Sequence, residues 1–372
     1  GTDTSGNNNT WTVNNLVATV GTSNQAFDAV TYTGNHPTGQ SITNLNFSPD
    51  LVWIKDRSGT NWHYIFDSVR GVEKAIFSNA NNAENTYSNT LTAFNSDGFT
   101  LGSDNATNNS GSNYVAWCWK AGGAASSNTD GTITSSVSAN TTYGFSIIKW
   151  DAESSAGTVG HGLSAAPQFI LMKPINNSGP WFVYHTSVGT SKYFELNGNG
   201  APSNNTLVYT NAPTSSVFSP GNGIVNTSSY DEMIAYCWSE VAEFSKFGSV
   251  SAGSDPIINT GFKPRYVLVK RTDSSGNWNI FDTARGGDTT QIWLEANNSG
   301  AENNHANGEF KFLDDGFQLI GSDIDVGTVI YAAFAGQTDG SAVDSLVDSV
   351  TNYGSDTGLG GEVRGNYCTL NP

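Results

Sequence analysis

FKPRYVLVKRTDSSGNWNIFDTARG, Phe262 to Gly286, holds two apolar runs on either side of a polar turn containing Gly276. The first run ends on Lys270 and the second opens on Trp278. Short runs rich in Val, Ile, Tyr, Phe and Trp around a Ser/Gly/Asn turn are the pattern of a β-hairpin. The same phrase occurs as FSPDLVWIKDRSGTNWHYIFDSVRG, Phe47 to Gly71, and in diverged form as APQFILMKPINNSGPWFVYHTSVG, Ala166 to Gly189. Each copy has a Pro, a strand ending in Lys (Lys55, Lys173, Lys270), a polar turn and a Trp (Trp62, Trp181, Trp278). The Lys-to-Trp spacing is 7, 8 and 8, so the turn varies while the strands hold. Burial fixes strand patterning and leaves loop length free.

Working outward, DGFTLGSD (Asp97–Asp104) answers DGFQLIGSD (Asp315–Asp323), and each follows an Asn-rich stretch with Ala-Glu-Asn. Asp-Gly supplies a tight hairpin turn. The middle copy has PGNGI (Pro220–Ile224) instead. Each copy closes on an apolar strand: NYVAWCWKAG (Asn113–Gly122), MIAYCWSEV (Met233–Val241) or VIYAAFAG (Val329–Gly336). A repeat of this length suits one β-sandwich domain and is too long for a solenoid unit. The expected fold is all-β, with three tandem antiparallel β-sandwich modules at 31–125, 143–247 and 250–336. Residues 1–30 and 337–372 are flanking segments, and Gly/Ser/Thr/Asn-rich connectors such as Ala121–Thr142 join the modules. Ser239–Gly248 reads equally as a short helix or as a strand-and-turn link.

Composition agrees. Charged residues are 13% and aromatics 12% of 372 residues, which excludes global disorder and coiled coil. The aromatics recur at matched strand positions, as cores of three small sandwiches. The net charge is −17, and no run of three Lys or Arg residues occurs, so no basic track for nucleic acid is expected. No apolar run has the length of about 20 residues that a spanning helix needs, and no membrane insertion is expected. The chain begins without Met, and it reads as a portion of something longer.

Chemistry-bearing patterns are sparse. Cys118 and Cys237 occupy matching repeat positions, where Ala333 stands in the third copy, so they read as small core residues. Cys368 lies apart, and no CxxC occurs. The five histidines form neither HxH nor HExxH, and GxSxG is absent. Asp97, Asp104, Asp315 and Asp323 read as turn formers. Calcium at Asp104, Asp323 and Asp325 would need a spaced loop that is not there. No cofactor, metal or catalytic residue is assigned. Asp67 with Arg70, and Asp282 with Arg285, read as local bridges, replaced by His185 and Val188 in the middle copy. The three lysines read as snorkelling strand ends with heads in water. Trp62, Trp181 and Trp278 have two readings, core packing and sugar-stacking platforms. Trp117 and Trp119 share one face of their strand.

The run from Ala235 to Gly287, with the closing IYAAFAG, resembles a recurring domain of tailed-phage virion structural proteins, of the marine and cyanophage type. Thr2–Leu16 resembles the end of a concanavalin-like (laminin-G-like) segment of such proteins, and Asp344–Pro372 the connector that follows. The resemblance implies a non-enzymatic virion protein, a tail fibre or appendage facing the extracellular medium. Its expected partners are further copies of itself, with a trimer favoured, other virion proteins and host surface glycans. The alternatives are a capsid-decorating or extracellular filament protein, a polysaccharide depolymerase and a bacterial surface adhesin.

Overall fold

The computed structural model describes residues 26–152, 157–221, 230–251, 253, 255–304, 307–321 and 327–336. The protein is all-β, with antiparallel sheets and, among the described residues, two four-residue helices, Asn105–Asn108 and Thr283–Gly286. Of the expected flanks, 1–30 and 337–372, residues 1–25 and 337–372, including Cys368, lie outside the described residues, as do Asp323 and Asp325.

One strand order occurs three times. In module one it runs Phe27–Thr33, Asn113–Trp119, Leu51–Asp56, Tyr64–Asp67, Lys74–Phe77, Asn85–Thr86. Module three repeats it as Ser245–Ser251, Thr328–Ala335, Pro264–Arg271, Trp278–Asp282, Ile292–Glu295, Asn303–Asn304. Module two does so from Phe145–Asp151 through Glu232–Trp238 and Phe169–Pro174 to Ser203–Asn204. A smaller second sheet accompanies each, for example Gln40–Ile42, Gly98–Leu101 and Leu91–Asn95 in module one. The first strands begin at Phe27 and Ser245, a few residues ahead of the expected boundaries. Ser239–Gly248 is a turn leading into a strand. The connector Ala121–Thr142 also carries structure. Ser135–Asn140 pairs along its whole length with Phe145–Asp151 because Val137 and Ile133 bury their side chains in module two.

Alternation along the larger sheets explains the long apolar runs. Successive strand residues point to opposite faces. Val52, Ile54, Tyr114, Ala116 and Cys118 face the smaller sheet of module one and pack on Leu91, Phe99 and Leu101. Leu51, Trp53, Val115, Trp117 and Trp119 face the other way. Modules two and three divide alike, with Cys237 and Ala333 on the sandwich side. The second faces do not meet water. They join residues of all three modules in one further core: Trp117, Trp119, Phe169, Trp181, Tyr236, Trp238, Tyr266, Trp278, Phe334 and their neighbours. This corrects the reading of three separate sandwich cores. Half of each inner sheet's apolar set belongs to a centre that no module has alone, and a sheet covered on both faces reads as a continuous apolar run.

At that centre stand three residues from equivalent positions, Trp119, Trp238 and Phe334. They pair respectively with Leu51, Phe169 and Tyr266 in the adjacent strands. Their rings lie 5.9, 5.6 and 6.1 Å apart, closing a triangle about a pseudo-three-fold axis. Phe27, Phe145 and Phe169 pack around it. Among the described residues no acceptor meets the indole N–H of Trp119 or Trp238, so ring packing alone holds the corner.

The Asp-Gly turns owe their glycines to close approach. A Cβ on Gly98 would sit 1.7 Å from the Ile42 carbonyl oxygen, and one on Gly316 1.9 Å from that of Ile258. The neighbouring strand of the small sheet leaves no room for a side chain.

Truncation at the triangle should therefore loosen all three modules together. Trp119→Ala is expected to cost about 3–5 kcal/mol in urea unfolding, and Trp119→Phe less than about 1.5 kcal/mol. Equal losses in the two variants would refute the ring-packing account.

Candidate functional site

The functional features that sequence reading singled out fall on the seams between modules. Each seam is built by the repeated hairpin, whose register brings two positions to the border. One is occupied by His63, Trp181 and Trp278, and the other by Asp67, His185 and Asp282. The anchors are the pairings Leu51 with Asp67, Phe169 with His185 and Tyr266 with Asp282. Trp62 is therefore not the counterpart of Trp181 and Trp278; His63 is, one residue on. The backbone N–H groups of His63, Trp181 and Trp278 donate to the side chains of Asn79, Asn197 and Asn297 at matching places.

Trp181 donates its indole N–H to the Phe77 carbonyl of module one at 2.7 Å, and Trp278 to the Glu195 carbonyl of module two at 3.0 Å. They are 0% and 1% exposed. The sugar-stacking reading is thereby corrected for both, because their faces lie inside the body and their N–H groups are spent on seams. Trp62 differs. It is 38% exposed and stands edge-on to Phe77, which also packs against Tyr64 and Tyr87. Of the three candidates it alone is exposed to solvent.

The Asp/His position explains a substitution that the sequence left open. Tyr236 of module two donates its hydroxyl to Asp67 of module one at 2.7 Å, and Trp117 of module one its indole N–H to Asp282 of module three at 2.8 Å. Buried Arg70 and Arg285 hold these carboxylates at 2.5 and 2.6 Å, forming the local bridges expected from sequence. At the third seam the residue equivalent to Trp117 and Tyr236 is Ala332, which has nothing to donate. There His185 replaces the aspartate, and its Nε2 lies 3.1 Å from the Tyr331 carbonyl. With no carboxylate to neutralise, Val188 stands where Arg70 and Arg285 stand elsewhere. The change in module two thus answers a change in module three.

The lysine expectation needs a second correction. Lys55, Lys173 and Lys270 are fully buried. Their ammonium groups turn back onto carbonyls: Lys55 on Asp56 and Gly59, Lys173 on Pro174 and on Asn81 of module one, Lys270 on Arg271 and on Asn199 of module two. Desolvation lowers them from the usual 10.5 to about 8, about 7 and about 8. A bare charge could not be buried here without those carbonyls. Arg57 adds a two-pronged bridge to Glu302 across the seam of modules one and three, both bonds at 2.8 Å.

A shallow hollow of about 350 Å³ beside the first connector is lined by Asp50, Lys120, Gly122, Gly123, Asn140 and Thr141, among others. Burial raises the Asp50 carboxyl against the pull of its bonds from Ser68, Ala121 and Gly123. Asp104 caps the short helix at Asn105, in line with its reading as a turn former. Among the described residues no group of three or more His, Cys, Asp or Glu side chains is placed to hold a metal ion, and no helix is long and apolar enough to cross a membrane.

The buried lysines give a pH signature. An unfolded chain keeps its lysines charged to about pH 10.4, whereas the folded body sheds those protons from about pH 7 upward. The unfolded state binds more protons across that window, so stability rises with pH. Urea midpoints should climb between about pH 7 and 9.5, and Lys173→Met should flatten the slope; a falling profile would exclude the assignment.

Among curated proteins and among solved structures, none matches the chain. A family model does, over residues 22–338, a span that takes in all three modules and the seams between them. The unit that recurs in that family is therefore the three-lobed body, and the chain belongs to the family described as a domain of unknown function (DUF7483).

Proposed function

We propose that the protein is a non-enzymatic structural component of a virion, a tail fibre or another appendage exposed to the extracellular medium, and that it contributes to attachment at the host surface. The observation that carries the reading is the union of three like sandwiches around one aromatic core. Such a body is a stiff spacer that holds its outward faces in fixed relation, so weak contacts can add through multivalency. The resemblance of Ala235–Gly287 to virion domains of tailed phages supports the same reading. Its partners are further copies of the chain, packed as a trimer, and other virion proteins. Host glycans would meet the exposed face of Trp62, since flat indole faces attract the apolar faces of sugars.

Labelling intact particles with an antibody raised against residues 22–338 tests the location by electron microscopy. Density on the tail or on an appendage is expected. Label confined to the bacterial surface, or to free filaments, would overturn the reading. For the contact itself, Trp62→Ala should reduce adsorption of the purified protein to host cells at least tenfold while leaving its melting temperature unchanged. Unchanged adsorption would remove Trp62 from the attachment surface.

A further inference from the structure

The three seams are built alike but titrate differently. Each combines one residue from the His63/Trp181/Trp278 position with one from the Asp67/His185/Asp282 position. The seam of modules one and two holds Trp181 and Asp67 and, among the described residues, no histidine. The seam of modules two and three holds Trp278 and His185. The seam of modules three and one holds His63 and Asp282, His63 lying toward the backbone of Glu295 and Asn298 of module three. Both borders of module three thus carry one fully enclosed histidine.

In both histidines the hydrogen bonds fix the neutral ring. Nδ1 of His63 accepts the indole N–H of Trp53 at 2.9 Å, and Nδ1 of His185 accepts the backbone N–H of Ser187 at 3.2 Å. A ring nitrogen that accepts has no proton, so each neutral imidazole carries its hydrogen on Nε2. A second proton has to enter on Nδ1, where it faces an N–H that cannot turn away. The charges nearby oppose it too. Lys55 on its own module and Arg285 on module three both disfavour a cationic His63. His185 faces the Tyr331 carbonyl and the Phe169 ring, and its basicity is lowered by burial.

We propose that module three is an acid-released lobe: protonation of His63 and His185 opens its two seams while modules one and two stay joined through Trp181, Asp67, Arg70 and Tyr236. Opening would uncover the aromatic centre, including Phe244 and Phe247 at the start of module three. The direction follows from linkage. In the closed body His185 titrates near 4, and once released it returns toward 6.5, so falling pH favours the open form across that interval. For His185 alone the open-to-closed ratio should grow about 80-fold between pH 6.5 and pH 4.

The test follows the whole chain from pH 7 to pH 3.5 by small-angle scattering, with far-ultraviolet circular dichroism read in parallel. The radius of gyration should step up while the strand signal persists. In the double variant His63→Gln/His185→Gln, whose amides still donate and accept but do not titrate, the step should move down by at least one pH unit. His161→Gln, outside the seams, should leave it unchanged. A second measurement needs no variant. Pepsin at pH 4 should make its first cut in the short connector at 239–244, and not in the long one at 121–142. The proposal fails if expansion and loss of strand signal coincide, if the double variant keeps the wild-type midpoint, or if the first cut falls between modules one and two.

Discussion

The contact of Trp119, Trp238 and Phe334 is the constraint on which the rest depends. Each ring projects from the closing strand of its module toward the other two, and each is nearly inaccessible only because the others are there. Taken alone, any module would leave a sheet face of aromatic and aliphatic side chains in water. Exposed patches of that kind are uncommon on monomeric proteins and drive association. The chain satisfies the demand internally by supplying the three faces in tandem. Apolar burial at about 25 cal/mol per Å² favours closure, and the tether removes most of the entropic cost that separate chains would meet.

Polar chemistry at the seams is subordinate to that closure but specific to it. Closing the centre brings strand ends and their lysines, arginines and aspartates out of water, and each then needs a partner. For the lysines the partners are backbone carbonyls, mostly of their own module, with Asn81 and Asn199 of a neighbouring module completing the shells of Lys173 and Lys270. Buried ion pairs contribute little net stability, and breaking one costs several kcal/mol. The Asp67–Arg70–Tyr236 and Asp282–Arg285–Trp117 groups therefore act mainly against misalignment of the modules. Where Ala332 removes the donor, the carboxylate and its arginine disappear together and a neutral imidazole takes their place.

Much of the fold was legible in the sequence. Period-two alternation, the Asp-Gly turns and the threefold recurrence of hairpin and closing strand gave the all-β class and the main strands; their order in the sheets came from the structure. The interchange of Cys118, Cys237 and Ala333 pointed correctly to small buried residues. Other features were not legible, for physical reasons. A continuous apolar run such as YVAWCW signals burial on both faces, but it does not say what covers the second one. The partners of the seam residues lie in other modules, so no local spacing reveals them. Matching Trp62 to Trp181 and Trp278 followed residue type, whereas strand register matches His63 to them. The correct sign was available in the Lys-to-Trp spacing of 7 against 8 and 8. The enclosed lysines looked like ordinary snorkelling residues because a strand end does not show, from its own sequence, what covers it in the folded body.

If the three modules close around one shared centre, they should unfold as one body at neutral pH. Differential scanning calorimetry of the intact chain measures this directly. The account predicts a single transition whose calorimetric and van't Hoff enthalpies agree, as for one cooperative unit. Three resolved transitions, each carrying about a third of the heat, would mean that the modules are independent sandwiches and would contradict the shared centre.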